Sequence, residues 1–213
     1  MATARHPIPP DIAALSLEEI AERYIGRFRD KVADWQAFED AQIDGYRRAQ
    51  HRFIGAGGSG KHDDPSVIPP RAFTLSVIYC PPGQGNAAHT HEVEEIFFVL
   101  QGYLSVFIED ETGRQVRQRL GPWECIACPP GVIHGFQNES LEPVYFQVML
   151  GKGRPEAMGY ADDELFKRYL ERIPVVELGN QRVELVVTVG KVRRLLDEAF
   201  GSAPSAMEET AAS

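Results

Sequence analysis

The chain has 213 residues, 43% apolar and 25% charged, the balance of a globular protein with one core or two small ones. A net charge of −9 and a pI near 5.2 argue against nucleic acid as a partner, because phosphate binding needs a basic surface. No apolar run approaches the roughly 20 residues of a membrane span, and the opening MATARHPIPPDIAAL lacks the apolar stretch of a signal peptide, so the cytoplasm is the expected location.

In chain order, Ser16 and Glu19 form a capping box, which supplies acceptors for backbone donors at a helix start. Leu17, Ile20, Tyr24, Phe28, Val32 and Trp35 then recur at helical spacing and predict an amphipathic helix, with its aromatic stripe packed on the rest of the chain or on a second subunit. A second, more charged helical piece is predicted over 38–50. The run GAGGSGK at 55–61 resembles a phosphate-binding loop. However, His62 stands where Ser or Thr should hold magnesium, and the prolines of DDPSVIPP forbid the helix that should follow. Residues 55–70 therefore read as a Gly/Pro-rich linker, with the option of a lid.

Strands follow at 72–80, 95–100, 103–109, 114–120, 123–128, 132–137 and 143–150, separated by Gly/Pro turns, with EDETG at 109–113 as a hairpin turn. Short strands of this kind predict an antiparallel barrel or jelly roll. Between the first two lies GQGNAAHTHEVEEIFFVLQG, residues 83–102, which brings His89, His91 and Glu95 within seven positions. Side chains on a strand alternate faces, so His89 and His91 point the same way, and Glu95 shares their parity if the strand continues. Glu94 has the opposite parity and is expected to face outward. His134 follows in PPGVIHGFQN. Three imidazoles and a carboxylate suffice to hold a divalent transition metal and leave positions open for water, O2 or substrate.

The pattern Gly83-x5-His89-x-His91-x3-Glu95-x6-Gly102 resembles the first motif of the cupin superfamily, with every element present. Pro129-x-Gly131-x2-His134-x3-Asn138 matches the second motif except at its opening glycine, where Trp123 stands. The resemblance covers roughly residues 70–150. It implies a mainly β fold: a single jelly-roll barrel of the cupin 2 type, with His89, His91, Glu95 and His134 as metal ligands. It further implies one divalent ion per chain, with Fe(II) first and Mn, Ni or Zn as alternatives. Small single-barrel cupins include dioxygenases acting on aromatic or diketone compounds, so an Fe(II)-dependent dioxygenase is the first expectation. Metal-dependent isomerase, lyase or decarboxylase chemistry, and a non-catalytic ligand-binding barrel, are the alternatives.

Parity places Phe97, Val99 and Phe136 on the ligand side, an apolar, aromatic wall suited to a small organic substrate. Tyr145 and Gln147 share parity with each other and are candidates to face inward, while Arg71 or Gln84 near the mouth are candidates to bind a carboxylate. His6, His51 and His62 read as ordinary polar residues. Cys125 and Cys128 form a C-x-x-C on an extended segment, where positions three apart face opposite sides. They read as buried apolar residues, Cys80 ends a strand just before the first motif with its direction left open, and three cysteines make no secreted disulfide framework.

After 151, a helix over 162–171, a strand over 183–189 and a helix over 190–200 are expected. The small polar tail 201–213 is expected to be disordered. The chain thus divides into an arm with amphipathic helices (1–54), the linker (55–70), the barrel core (71–151), a helix–strand–helix extension (152–200) that packs on the barrel or on a partner subunit, and the tail. A homodimer is the expected assembly.

Overall fold

Residues 4–162, 164–165, 176–178 and 181–183 are described by the structure, a computed structural model. The expected helix over 190–200 and the tail lie outside them. So do most of the helix expected over 162–171 and all of the 183–189 strand except Val183.

A short helix α1 (Pro10–Ala13) precedes α2 (Leu17–Tyr24). The capping box forms as expected: the Glu19 N–H donates to Ser16 Oγ at 3.1 Å and the Ser16 N–H donates to the Glu19 carboxylate at 2.7 Å. The helix is shorter than its apolar spacing predicts. Ile25 is extended, and Gly26 presses so close to β1 (Ala49–Ile54) that a Cβ there would sit 3.0 Å from the Phe53 ring. Sheet contact wins over helical continuation. Phe28 then lies 4.7 Å from the His51 ring and 6.0 Å from Tyr145, while Trp35 meets Tyr79 edge-on at 5.8 Å. The stripe therefore divides: its aromatics cover a sheet face, while Leu17 and Val32 remain 79% and 87% exposed.

The helix expected over 38–50 is replaced by one 3-10 turn at Asp40–Gln42, a turn through Gly45 and strand β1. Long-range pairing with β2 (Thr74–Cys80) overrides local propensity here. Nor is 55–70 a free linker. Residues 55–58 are buried, and the Ile68 N–H donates to Phe53 O at 2.8 Å while the Gly55 N–H donates to Ile68 O at 3.1 Å.

The remaining strands are β3 (His89–Thr90), β4 (Glu95–Gln101), β5 (Leu104–Glu109), β6 (Gln115–Leu120), β7 (Cys125–Cys128), β8 (Ile133–Gln137), β9 (Val144–Leu150), β10 (Gly159–Tyr160), β11 (Val176–Leu178) and β12 (Gln181–Val183). They form two five-stranded antiparallel sheets, β1-β2-β9-β4-β7 and β10-β3-β8-β5-β6, and a β11–β12 hairpin. The fold is mainly β, with the double-sheet architecture of a jelly roll. The core draws Ile78, Phe97, Val99, Phe146 and Val148 from the first sheet and Leu104, Val106 and Phe136 from the second. No helix among the described residues is long and apolar enough to cross a membrane.

Trp123 is the one non-glycine residue with positive φ among the described residues (+73°), and it occupies the position where the second motif resembled above has glycine. The left-handed region costs an L-residue about 1–2 kcal/mol. The indole is 76% exposed and contacts Phe98 edge-on at 6.3 Å. Trp123→Ala should lose that contact and keep the strain, while Trp123→Gly should relieve it. In thermal unfolding, Trp123→Gly is expected to exceed Trp123→Ala in stability by about 1 kcal/mol.

Candidate metal centre

The four expected ligands converge in the interior between the two sheets. His89 on β3 pairs across the sheet with His134 on β8, and Glu95 opens β4 in the opposite sheet. His91 lies just past β3 and is fixed at the backbone by the Gly131 N–H, which donates to His91 O at 3.0 Å. Strand parity alone would keep 89–95 on one strand. The structure instead turns between His91 and Glu95, so the donors meet across the interior rather than along one strand face. All four are buried: His89 and His134 at 1% exposure, His91 and Glu95 at 4%. Glu94 is exposed, as its parity required.

Donor atoms of His89, His91 and Glu95 all lie within 4.8 Å of one another. His134 Nε2 stands 2.8 Å from Glu95 Oε2, His89 Nε2 stands 3.3 Å from the same oxygen, and His91 Nε2 is 3.6 Å from Glu95 Oε1. Backbone carbonyls orient two of the rings. His134 Nδ1–H donates to Val132 O at 2.7 Å, and His89 Nδ1 lies 3.0 Å from Ala87 O and 3.1 Å from Asn86 Nδ2, donating to the carbonyl when the ring proton is on Nδ1. With Nδ1 carrying the proton, each neutral ring turns its Nε2 lone pair toward the carboxylate. His91 has no hydrogen-bond partner on either ring nitrogen although both are buried. Lone pairs and a carboxylate aimed at one buried point repel unless a cation lies between them, so the donor set fits a divalent metal ion.

Protonation without a metal follows the same logic. Burial pushes the His91 imidazole down to about 4, against the pull of Glu95. Burial also opposes charge on Glu95, but with a proton on Nε2 in place of an ion, hydrogen bonds from His134 and His89 outweigh it and hold the carboxyl well below its usual range. Burial likewise opposes charge on His134, yet its contact with Glu95 raises its proton affinity. Cys128, paired in register with Glu95, has its thiol pushed up to about 12 by burial and by the charges of Glu95 and Glu94.

A cavity of about 20 Å³ adjoins the donors, space for about one water. Phe97 and Phe136 line it with Phe38, Gln50, Ser76 and Met158. Val99 is buried in the core but is not among the cavity walls. Tyr145 and Gln147 do not face inward. On β9 the buried positions are Val144, Phe146, Val148 and Leu150, and Tyr145 lies on the outer layer beside Phe28 and Tyr79. The apolar parity of that strand takes the core, leaving the polar parity outside. Arg71 pairs with Asp11, and Gln84 Oε1 accepts the Arg47 N–H, so neither expected carboxylate anchor is at the cavity.

Residues at the cavity that the sequence reading missed, Arg48, Gln50 and Ser76, sit on or beside β1 and β2. Arg48 and Gln50 share parity, a signal hidden by reading 38–50 as a helix. Gly58 forms part of the ceiling: a Cβ there would come 3.0 Å from His91 Cε1 and 3.5 Å from Met158 Cε. Of the residues set aside, His51 is buried with Nδ1 near Val77 O, Cys80 and Cys128 are buried and Cys125 is exposed.

Residues 76–150 match the family model described as Cupin domain, and that stretch is accordingly a cupin domain. No curated protein matches it. Among solved structures, it resembles the polyketide cyclase RemF from Streptomyces resistomycificus at 20% identity, over 70% of this chain and 93% of that one, with a TM-score of 0.53. It also aligns with the DMSP lyase DddQ from Ruegeria pomeroyi at 26% identity over 49% and 47% of the two chains (TM-score 0.40). A third match is the oxalate decarboxylase of Lactobacillus farciminis in a formate complex, at 15% identity over 84% and 41% (TM-score 0.47). Of the fold expected from the two motifs, the mainly β architecture of two antiparallel sheets is found.

The pH dependence of the metal-free protein follows from these shifts. His91 has a folded pKa below its unfolded 6.5, so the unfolded state binds more protons between those values, and stability falls as pH drops from about 6.5 toward 4. His134, raised when folded, acts with the opposite sign above 6.5, where its contribution is lost as pH rises. The unfolding temperature should therefore peak near neutrality and decline on the acid side, and His91→Gln should flatten the acid decline. An unchanged acid limb in that variant would exclude His91 as its source.

Proposed function

We propose that His89, His91, Glu95 and His134 bind one divalent transition metal and that the chain is a metal-dependent enzyme acting on a small aromatic or carbonyl-containing organic molecule. The observation that carries this reading is the convergence of the buried donors of His89, His91 and Glu95, with His134 Nε2 2.8 Å from Glu95 Oε2, beside a cavity lined by Phe97 and Phe136, with both His91 ring nitrogens left without partners. When bound, such an ion supplies Lewis acidity and, if it is iron, a route for electrons into O2.

The protein's own groups do the rest. Ala87 and Val132 carbonyls fix the tautomers of His89 and His134, and Glu95 supplies the negative charge that retains a cation. Phe97, Phe136 and Ile78 exclude bulk water, which strengthens electrostatic interactions at the site. Gln50 and Ser76 are the polar groups on the far wall available to orient a substrate oxygen. Since the cavity holds about one water, an organic substrate requires the wall of Gly58 and Met158 to move.

Fe(II) with O2, as a dioxygenase, is our first reading, supported by a buried site that can admit a diatomic molecule. Non-oxidative Lewis-acid chemistry with Mn, Ni or Zn is the second, kept because a polyketide cyclase shares the fold. A homodimer remains our proposed assembly, supported by the exposed apolar positions Leu17, Ile25 and Val32. A monomer in light scattering at micromolar concentration would remove that proposal.

Elemental analysis of protein purified without added metal tests the central reading, with about one ion per chain expected. Iron directs the next step to substrate-dependent O2 consumption, whereas manganese, nickel or zinc directs it to anaerobic turnover. His134→Ala should reduce metal affinity at least tenfold while the far-ultraviolet circular dichroism is retained. Full occupancy in that variant would remove His134 from the ligand set.

A further inference from the structure

Asp40 is completely buried and touches none of the four donors, yet its carboxylate accepts four hydrogen bonds. Arg48 Nη2 donates to Oδ1 at 2.9 Å and Tyr160 O–H donates to the same oxygen at 3.2 Å. Arg48 Nη1 donates to Oδ2 at 3.0 Å and the Ala87 N–H donates there at 2.9 Å. Arg48, 2% exposed, is stacked on the Phe38 ring at 4.4 Å. A buried ion pair is weak evidence for a stabilising role, because an apolar pair often serves a core as well. What an apolar pair could not supply is the bond to Ala87.

Ala87 is the residue whose carbonyl accepts Nδ1–H of His89. Asn86, just before it, is tied to β8 by its backbone N–H to Phe136 O at 3.1 Å and by its side-chain oxygen, which accepts the Phe136 N–H at 2.7 Å. The loop is thus held to the barrel through Asn86 and to the N-terminal arm through Asp40. Tyr160 closes the circuit, since its strand pairs with β3 and it stands opposite His89 in register.

We propose that Asp40, held by Arg48 and Tyr160, is a positioning residue for His89, fixing through Ala87 the direction in which Nε2 points. This rests on the metal reading above. It extends the site beyond the stretch matched by the family model, because residues 40, 48 and 160 all lie outside 76–150.

The test is titration of the full-length protein with Co(II) against a competing chelator, read also by the visible absorption of the bound ion. Asp40→Asn is expected to weaken Co(II) binding about tenfold and to shift its absorption bands. Tyr160→Phe, which keeps the ion pair and removes one hydroxyl, should move both readouts the same way by a smaller factor, and it decides the matter if Asp40→Asn does not fold. Val144→Ala, a core truncation away from this network, should lower the unfolding temperature and leave affinity and spectrum unchanged. Wild-type affinity and spectrum in Tyr160→Phe and in any folded Asp40→Asn would overturn the positioning role. Failure of the unmodified protein to bind Co(II) would overturn the metal reading itself, and the two failures are thereby told apart.

Discussion

A carboxylate surrounded by three imidazoles, all out of contact with water, is the constraint around which this molecule is arranged. Glu95 comes from one sheet, His89 and His134 from the other, and His91 from the turn between β3 and β4. Each ring with a carbonyl partner is oriented before any ion arrives, so the attraction for a cation is built into the fold. The repulsion among lone pairs is the cost of that orientation and the source of affinity when a cation enters.

The same economy governs the second buried charge. Arg48 and Asp40 satisfy one another with bidentate geometry, as a buried pair must if desolvation is to be offset. The N-terminal arm reaches the interior through them. That arm also covers the outer face of the first sheet with Phe28 and Trp35. One segment therefore serves both the outer aromatic layer and the inner polar network.

Much of this was legible in the chain itself. The seven central strands follow from alternation and turn residues, and the four donors follow from their spacing and the cupin motifs. The glycine-to-tryptophan departure at 123 marked a position whose backbone is left-handed. What escaped was everything decided by long-range pairing. A helical period through Phe28 and Trp35 gave way to sheet contact, and β1 was concealed inside a charged stretch that resembles a helix. On β9 the wish for a polar anchor pointed to Tyr145 and Gln147, although Phe146 and Val148 carry the apolar parity that a core demands. Asp40 had no sequence signal, because its meaning lies in three partners, two of them 47 and 120 residues away.

The ceiling of the cavity at Gly58 is main chain, with no side chain to shorten. Substitution there can only remove volume, since the first added carbon already meets the His91 ring and Met158. Any enlargement of the chamber must come from side chains that can be shortened, at Met158 beside it or at Phe38 and Ile78, or from displacement of the 57–59 turn as a whole. Variation among descendants of this chain is therefore channelled: ligand size is adjustable from one side of the metal centre and capped from the other.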